Sequence, residues 1–141
     1  MTVYDIARYD VVTADPGTTI SELAFQMANE RVGSVVIVDG GEVVGIVTDR
    51  DIALDVLGTG ADPNEYTARD VMTPDPLVVG SDDGVMDTVR AMHEASVRRV
   101  PVVDEDGGLV GIVTMDDLLV MLATELSNLA GVVEAESPPY A

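Results

Sequence analysis

Cysteine is absent from this chain, and histidine occurs once, as His93. Without cysteine there is no disulfide framework, no zinc–thiolate site and no thiol nucleophile. The single histidine lies near the end of a predicted helix, where we expect a surface or packing role. Because no Ser–His–Asp set is supported by the spacing, we expect no catalytic site and no enzymatic activity.

Lysine is also absent, and all seven basic residues are arginines. Against them stand 26 acidic residues, for a formal net charge of −19. This balance excludes the basic surface that nucleic-acid binding requires. It resembles the composition of proteins from extreme halophiles, because at about 1 M salt the Debye length falls to roughly 3 Å and self-repulsion is screened. The simpler alternative is an acidic, solvated surface.

Long apolar runs and a secretory signal peptide are not evident, so we expect a cytoplasmic protein that does not enter a membrane. Hydrophobic residues nevertheless make up 47% of the 141-residue chain. This amount supports one compact domain or two half-domains that share a core.

The chain is a tandem repeat. "GIVTDRD" at 45–51 recurs as "GIVTMDD" at 111–117, and "VVIVD" at 35–39 aligns with "VPVVD" at 100–104. The offset is 65 residues before the turn in the second copy and 66 after it. A period of this length over almost the whole chain indicates two copies of one supersecondary unit.

The sequence of each copy predicts a capped turn, an extended stretch (Val11–Thr13 or Leu77–Val79), an amphipathic helix, a strand, a glycine turn, a returning strand and a second helix, over 49–57 or 115–129. Such a three-stranded, two-helix unit leaves one apolar sheet face uncovered. We therefore predict an α/β (α+β) fold in which two pseudo-twofold-related units bury these faces together. The predicted boundaries are repeat 1 at 1–57, a linker at 58–66, repeat 2 at 67–129 and a C-terminal tail at 130–141.

The repeated corner predicts a helix N-terminus in each copy. The Thr48 hydroxyl can cap the helix that begins at Asp49, and Asp51 can reach back to complete a capping box. Thr114 and Asp117 repeat this pattern. The same groups suit a nucleotide, because a helix N-terminus attracts phosphate and a nearby carboxylate accepts ribose hydroxyls. From the residues alone, both interpretations stay open.

The Gly-x-x-Thr-x-x-Asp corner and its repeat resemble a CBS domain, and the tandem resembles a CBS pair (Bateman module) over about residues 2–122. The resemblance implies disc-like homodimers and clefts that bind AMP, ADP, ATP or S-adenosylmethionine. It also implies a stand-alone regulatory module that signals to an unidentified partner protein. The alternative is a structural or interaction module without a physiological ligand. No cofactor is required, and Mg²⁺ held by the corner aspartates is a minor alternative.

The resemblance also implies that each cleft is assembled crosswise from both repeats. The first cleft would join Thr48 and Asp51 with Thr73, Val78, Val97, Arg98 and Arg99. The second would join Thr114 and Asp117 with Arg8, Thr13, Val32, Gly33 and Ser34. In each cleft the aspartate would accept from ribose, the corner threonine would contact phosphate, and the apolar residues would flank the base.

The two clefts are expected to differ in charge. Arg98 and Arg99 occupy the positions that Gly33 and Ser34 hold in the other copy, so the first cleft has two cations in this strand, whereas the second has only Arg8. We therefore predict that the first cleft binds the more phosphorylated ligand. The alternative is that both arginines pair with surface aspartates. The apolar face of the last helix predicts packing across a dimer.

Overall fold

The computed structural model describes residues 1–136. In the first repeat a 3₁₀ turn at Val3–Asp5 precedes β1 (Thr13–Ala14), α1 (Ile20–Glu30), β2 (Ser34–Asp39) and β3 (Glu42–Thr48). A helical segment follows, which starts as α2 (Asp49–Asp51) and continues as a π-helix (Ile52–Val56) and a 3₁₀ turn (Leu57–Thr59). This order matches the predicted unit.

The second repeat has the same order. It comprises α3 (Ala68–Val71), β4 (Thr73–Pro74), β5 (Val79–Gly80), α4 (Val85–Ala95), β6 (Arg99–Val103), β7 (Leu109–Thr114) and α5 (Met115–Glu136). The predicted mixed α/β class with two small sheets is confirmed. In both repeats the first long helix ends in a left-handed residue, Arg31 at φ 56° and Ser96 at φ 55°.

The sheets are joined by an exchange that the repeat pattern does not show. The first sheet has four strands in the order β1-β2-β3-β4, and β4 comes from the second repeat. The second sheet has the order β5-β6-β7, and Arg8 of the first repeat forms a bridge beside Ile112 of β7. Each opening segment, residues 1–12 or 66–77, therefore pairs with the sheet of the other repeat.

The hydrophobic core has three parts, because alternate residues of a strand face opposite sides of its sheet. Val35 and Ile37 of β2 pack under α1, whereas Val100 and Val102 of β6 pack under α4. The exchange reappears here, since Val3 of the first repeat is buried in the second core and Ala68 of the second repeat in the first. A third cluster joins the sheets and consists of Val36, Ile46 and Ile112.

The last helix is longer than predicted. The predicted helix end at 129 and the predicted tail from 130 are wrong for residues 130–136, because α5 continues to Glu136. Residues 137–141 of the predicted tail lie outside the described residues. Glu134, Ala135 and Glu136 favour a helix after Gly131, and the next proline is Pro138. Among the described residues, α5 is the one helix with the length and composition that could cross a membrane. Only 6% of its most apolar window is buried.

Candidate functional site

The first corner folds as a complete capping box. The Asp51 backbone N–H donates to Thr48 Oγ1 over 3.1 Å, and the Thr48 N–H donates to Asp51 Oδ2 over 2.9 Å. The Asp49 N–H donates to the Gly33 carbonyl over 2.9 Å, which ties the corner to the start of β2. The capping prediction is confirmed for this corner. The carboxylate still has acceptor capacity, since two oxygens offer about four lone pairs.

The second corner is built alike but has a different carboxylate partner. The Asp117 N–H donates to Thr114 Oγ1 over 3.2 Å, and the Met115 N–H donates to the Arg98 carbonyl over 2.7 Å. The Asp117 carboxylate, however, accepts from Arg8. Arg8 Nε lies 3.1 Å from both carboxylate oxygens, and Arg8 Nη2 lies 2.8 Å from Oδ1.

This ion pair shifts the pKa of both side chains. Burial raises the pKa of the Asp117 carboxyl, but hydrogen bonds with Arg8 and Thr114 outweigh burial, so the pKa lies below its ordinary value. The hydrogen bond to Asp117 raises the pKa of Arg8. The Asp117 side chain is 17% exposed and that of Arg8 is 67% exposed, so the pair lies at the rim of the structure.

The first cleft has a volume of about 690 Å³ and lies between the first corner and the second repeat. Its lining contains six of the seven residues predicted for it: Thr48, Asp51, Thr73, Val97, Arg98 and Arg99. Further lining residues not predicted for this cleft are Ile46, Asp49, Arg50, Asp75, Pro76, Leu77, Ala95 and Ser96. The cleft is therefore crosswise, with one wall from each repeat.

The second cleft is smaller, at about 260 Å³. Of its predicted residues, the lining contains Arg8, Val32, Gly33, Ser34 and Thr114. Asp117 does not line the cleft, although Arg8, which holds its carboxylate, does. Further lining residues are Asp10, Val11, Val12, Arg31, Arg98, Arg99, Ile112 and Asp116.

Two residues predicted to line the clefts, one for each cleft, lie just after the lining segment in the sequence. Neither Thr13 nor Val78 lines its cleft; the lining residues are Val11 and Val12 in the second cleft and Pro76 and Leu77 in the first. The reason is that the chain leaves the cleft when it joins the sheet, at Thr13 in β1 and directly after Val78 in β5. The lining positions are equivalent in the repeat, since Val11 and Val12 align with Pro76 and Leu77.

The predicted charge difference between the clefts is wrong. Arg98 and Arg99 line both clefts, because β6 begins between them. The second cleft has four arginines and two lining aspartates, whereas the first has three of each. Arg98 also approaches Asp116 at 3.8 Å, an exposed contact that leaves its guanidinium available.

Arginine is concentrated at the clefts. Five of the seven arginines line one cleft or both: Arg8, Arg31, Arg50, Arg98 and Arg99. On a chain of net charge −19 this placement supplies the local positive charge that an anionic ligand needs. Within residues 1–136, no group of three or more His, Asp or Glu side chains is arranged to hold a metal ion.

Comparison with known families agrees with this architecture. The model of the CBS domain matches residues 3–58 and 68–124. The chain belongs to the CBS domain family. It carries two CBS domains in tandem, and the solved structures it resembles are CBS pairs.

The CBS pair has relatives in archaea and bacteria. An uncharacterized protein of Methanopyrus kandleri is 42% identical over 120 residues, which is 84% of this chain and 61% of that protein. The CBS domain-containing protein YhcV of Bacillus subtilis is 34% identical over 126 residues, or 89% of this chain and 86% of YhcV. This CBS pair thus spans less than two thirds of the Methanopyrus relative.

Similar solved structures contain adenosyl ligands. The CBS domain pair of protein MJ0100, in complex with 5′-methylthioadenosine and S-adenosyl-L-methionine, is 30% identical, with a TM-score of 0.80 over 89% of this chain and 98% of that one. CBSX2 in complex with AMP is also 30% identical, with a TM-score of 0.74 over 87% of this chain and 97% of CBSX2.

Proposed function

We propose that this CBS pair binds an adenine nucleotide (AMP, ADP or ATP) or S-adenosylmethionine in the first cleft and thereby regulates a separate protein. One observation carries the proposal: the first cleft places the Thr48–Asp51 corner opposite Arg98 and Arg99 around about 690 Å³. That volume falls within the range of about 300–1,000 Å³ usual for ligand sites. The adenosyl ligands of the MJ0100 pair and CBSX2 support the same ligand class.

Each part of the ligand has a chemical counterpart in the first cleft. Asp51 accepts from the ribose hydroxyls with the lone pairs that the Thr48 N–H leaves available. Arg98 and Arg99 bind the anionic group, for which the guanidinium offers paired donors. Val97 and Leu77, on the wall from the second repeat, flank the base.

A matched pair of variants tests the binding site. Asp51→Ala removes the carboxylate from the first cleft, whereas Asp70→Ala removes the carboxylate of a similar capping box, Thr67 N–H to Asp70 Oδ2 at 2.9 Å, outside both clefts. Each removes a carboxylate that accepts from a backbone N–H and should cost about 0.5–1.5 kcal/mol of stability. Calorimetric titration with AMP, ADP, ATP and S-adenosylmethionine should show binding lost only in Asp51→Ala. Equal binding by both variants would contradict the proposal.

Regulation requires that the ligand bind one conformation more tightly than another. The first cleft meets this need, because its two walls come from different repeats and a ligand that bridges them favours the closed arrangement. The protein would work without catalysis in the cytoplasm, where adenine nucleotides are available. If the protein were instead an interaction module without a ligand, added nucleotide would not change its stability. If it is a nucleotide sensor, a ligand at 100 times its Kd should stabilise the fold by about 2.7 kcal/mol. Thermal melts with the same ligands distinguish the two.

We further propose a homodimer in which a second copy covers α5. Its exposed apolar side chains include Leu126 and Leu129, at 67% and 64% exposure, and Val133. Beside the first half of α5 an apolar groove of about 330 Å³ runs along α4, lined by Met92 and Leu118 among others. A twofold pairing can place the distal half of each helix on the groove of the other copy.

Charge favours a protein partner for α5 over a membrane. Glu125 lies in the middle of the helix, and an acidic residue at the centre of a spanning helix costs about 2.5–3.5 kcal/mol. Leu126→Glu should convert the dimer to a monomer, measured by light scattering after gel filtration. The control Thr124→Glu, measured in the same way, should remain a dimer. A monomeric wild type would contradict the dimer, and binding of the wild type to lipid vesicles would favour the membrane instead.

A further inference from the structure

We infer that Arg8 excludes a ribonucleotide from the second cleft, so that the two repeats, although alike in sequence, provide one nucleotide site. The inference rests on the proposed nucleotide binding in the first cleft. It concerns the corner carboxylates, which are equivalent in the repeat but have different partners. Asp51 bonds to its own corner, whereas Asp117 is held by a guanidinium.

Arg8 is fixed in place by its backbone as well as its side chain. Its N–H donates to the Ile112 carbonyl and its carbonyl accepts from the Ile112 N–H, both over 2.9 Å. The side chain then spans both oxygens of Asp117 with Nε and reaches Oδ1 with Nη2. A ribose that approaches this carboxylate must first displace a charge-assisted, bidentate partner.

The first cleft lacks this obstacle because its equivalent residue is short. Thr73 stands 65 positions after Arg8, and it pairs with Ile46 of β3 as Arg8 pairs with Ile112 of β7. Among the described residues, no arginine lies within ion-pair distance of Asp51. The two corners thus differ at one pair of equivalent positions. Thr73 leaves the Asp51 carboxylate available, whereas Arg8 occupies the Asp117 carboxylate.

Cleft size agrees with this difference. The second cleft, which Arg8 lines, measures about 260 Å³, against about 690 Å³ for the first. The smaller volume falls below the range of about 300–1,000 Å³ usual for ligand sites. Arg8 therefore limits both the space in the second cleft and the acceptor that a ribose would use.

Calorimetric titrations with AMP test the inference in variants that exchange Arg8 and Thr73. The wild type should bind one AMP per chain, Arg8→Thr two, and Thr73→Arg none. The double variant Arg8→Thr/Thr73→Arg should again bind one. Both side chains lie at exposed positions, so the substitutions should leave the fold intact, which circular dichroism and melting curves check.

The outcomes separate this inference from the proposed function. Two AMP molecules on the wild type, or one on Arg8→Thr with affinity unchanged, would overturn the role of Arg8 and leave nucleotide binding in place. No AMP on either protein would overturn the role of Arg8, and failure of ADP, ATP and S-adenosylmethionine to bind as well would overturn the proposed function too. We expect the second AMP site gained in Arg8→Thr to be lost again in Arg8→Thr/Asp117→Ala. If Arg8 affected only the stability of the fold, the Asp117 substitution would not remove that site.

Discussion

Gly111→Ala should destabilise the protein because the opening segment of the first repeat passes directly over Gly111. A Cβ atom built at Gly111 would lie 2.8 Å from the Arg8 carbonyl oxygen, which belongs to the backbone and cannot rotate away. The segment must then move from β7, and the two hydrogen bonds between Arg8 and Ile112 are lost. At about 0.5–1.5 kcal/mol each, the loss amounts to about 1–3 kcal/mol.

Urea unfolding followed by far-UV circular dichroism measures this cost, with Gly131→Ala as the control. At Gly131, in α5, an added Cβ meets no atom within 4 Å. That substitution should stabilise the protein by about 0.5–1 kcal/mol, because alanine is the better helix former. If Gly111→Ala is as stable as the wild type, the contact between the opening segment and β7 does not form as described.

Three further predictions concern charge. Arg99→Ala should weaken AMP binding about tenfold in calorimetry, and unchanged affinity would refute its role. Because the folded-state pKa of Asp117 is depressed, its stabilising effect is present above the ordinary carboxylate pKa and is lost as the pH falls through the lower folded value. The wild type should therefore lose more stability than Asp117→Asn between pH 5 and 2, and parallel losses would argue against this. The melting temperature should rise from low to molar KCl, and a flat profile would remove the halophilic interpretation.

Much of the fold could be predicted because the hydrophobic pattern is local and written twice. The runs of β-branched residues in β2 and β6 and the glycine turns mark the same elements in both copies. The exchange of opening segments could not be predicted, since burial of Val3 in the second core depends on contacts distant in sequence. The length of α5 was missed because Gly131, a residue type that often marks a helix end, lies inside the helix.

The site was predictable in outline and less so in its charges. The resemblance predicts which corner faces which strand, and most of the predicted residues line the clefts. A linear repeat does not show that β6 begins between the clefts, so the sharing of Arg98 and Arg99 was missed. Nor does it show that the backbone of Arg8 aligns its side chain with Asp117. Gly45 and Gly111 each lie against the opening segment of the other repeat, at Met72 and Arg8.

We expect an adenosyl ligand to be held in the first cleft through Asp51. Native mass spectrometry of the purified protein, titrated with AMP, counts the bound ligands directly. We expect one AMP per chain in the wild type and in Asp70→Ala, and none in Asp51→Ala. Wild-type protein that binds neither AMP, ADP, ATP nor S-adenosylmethionine, or Asp51→Ala that binds as the wild type does, would refute the proposed site.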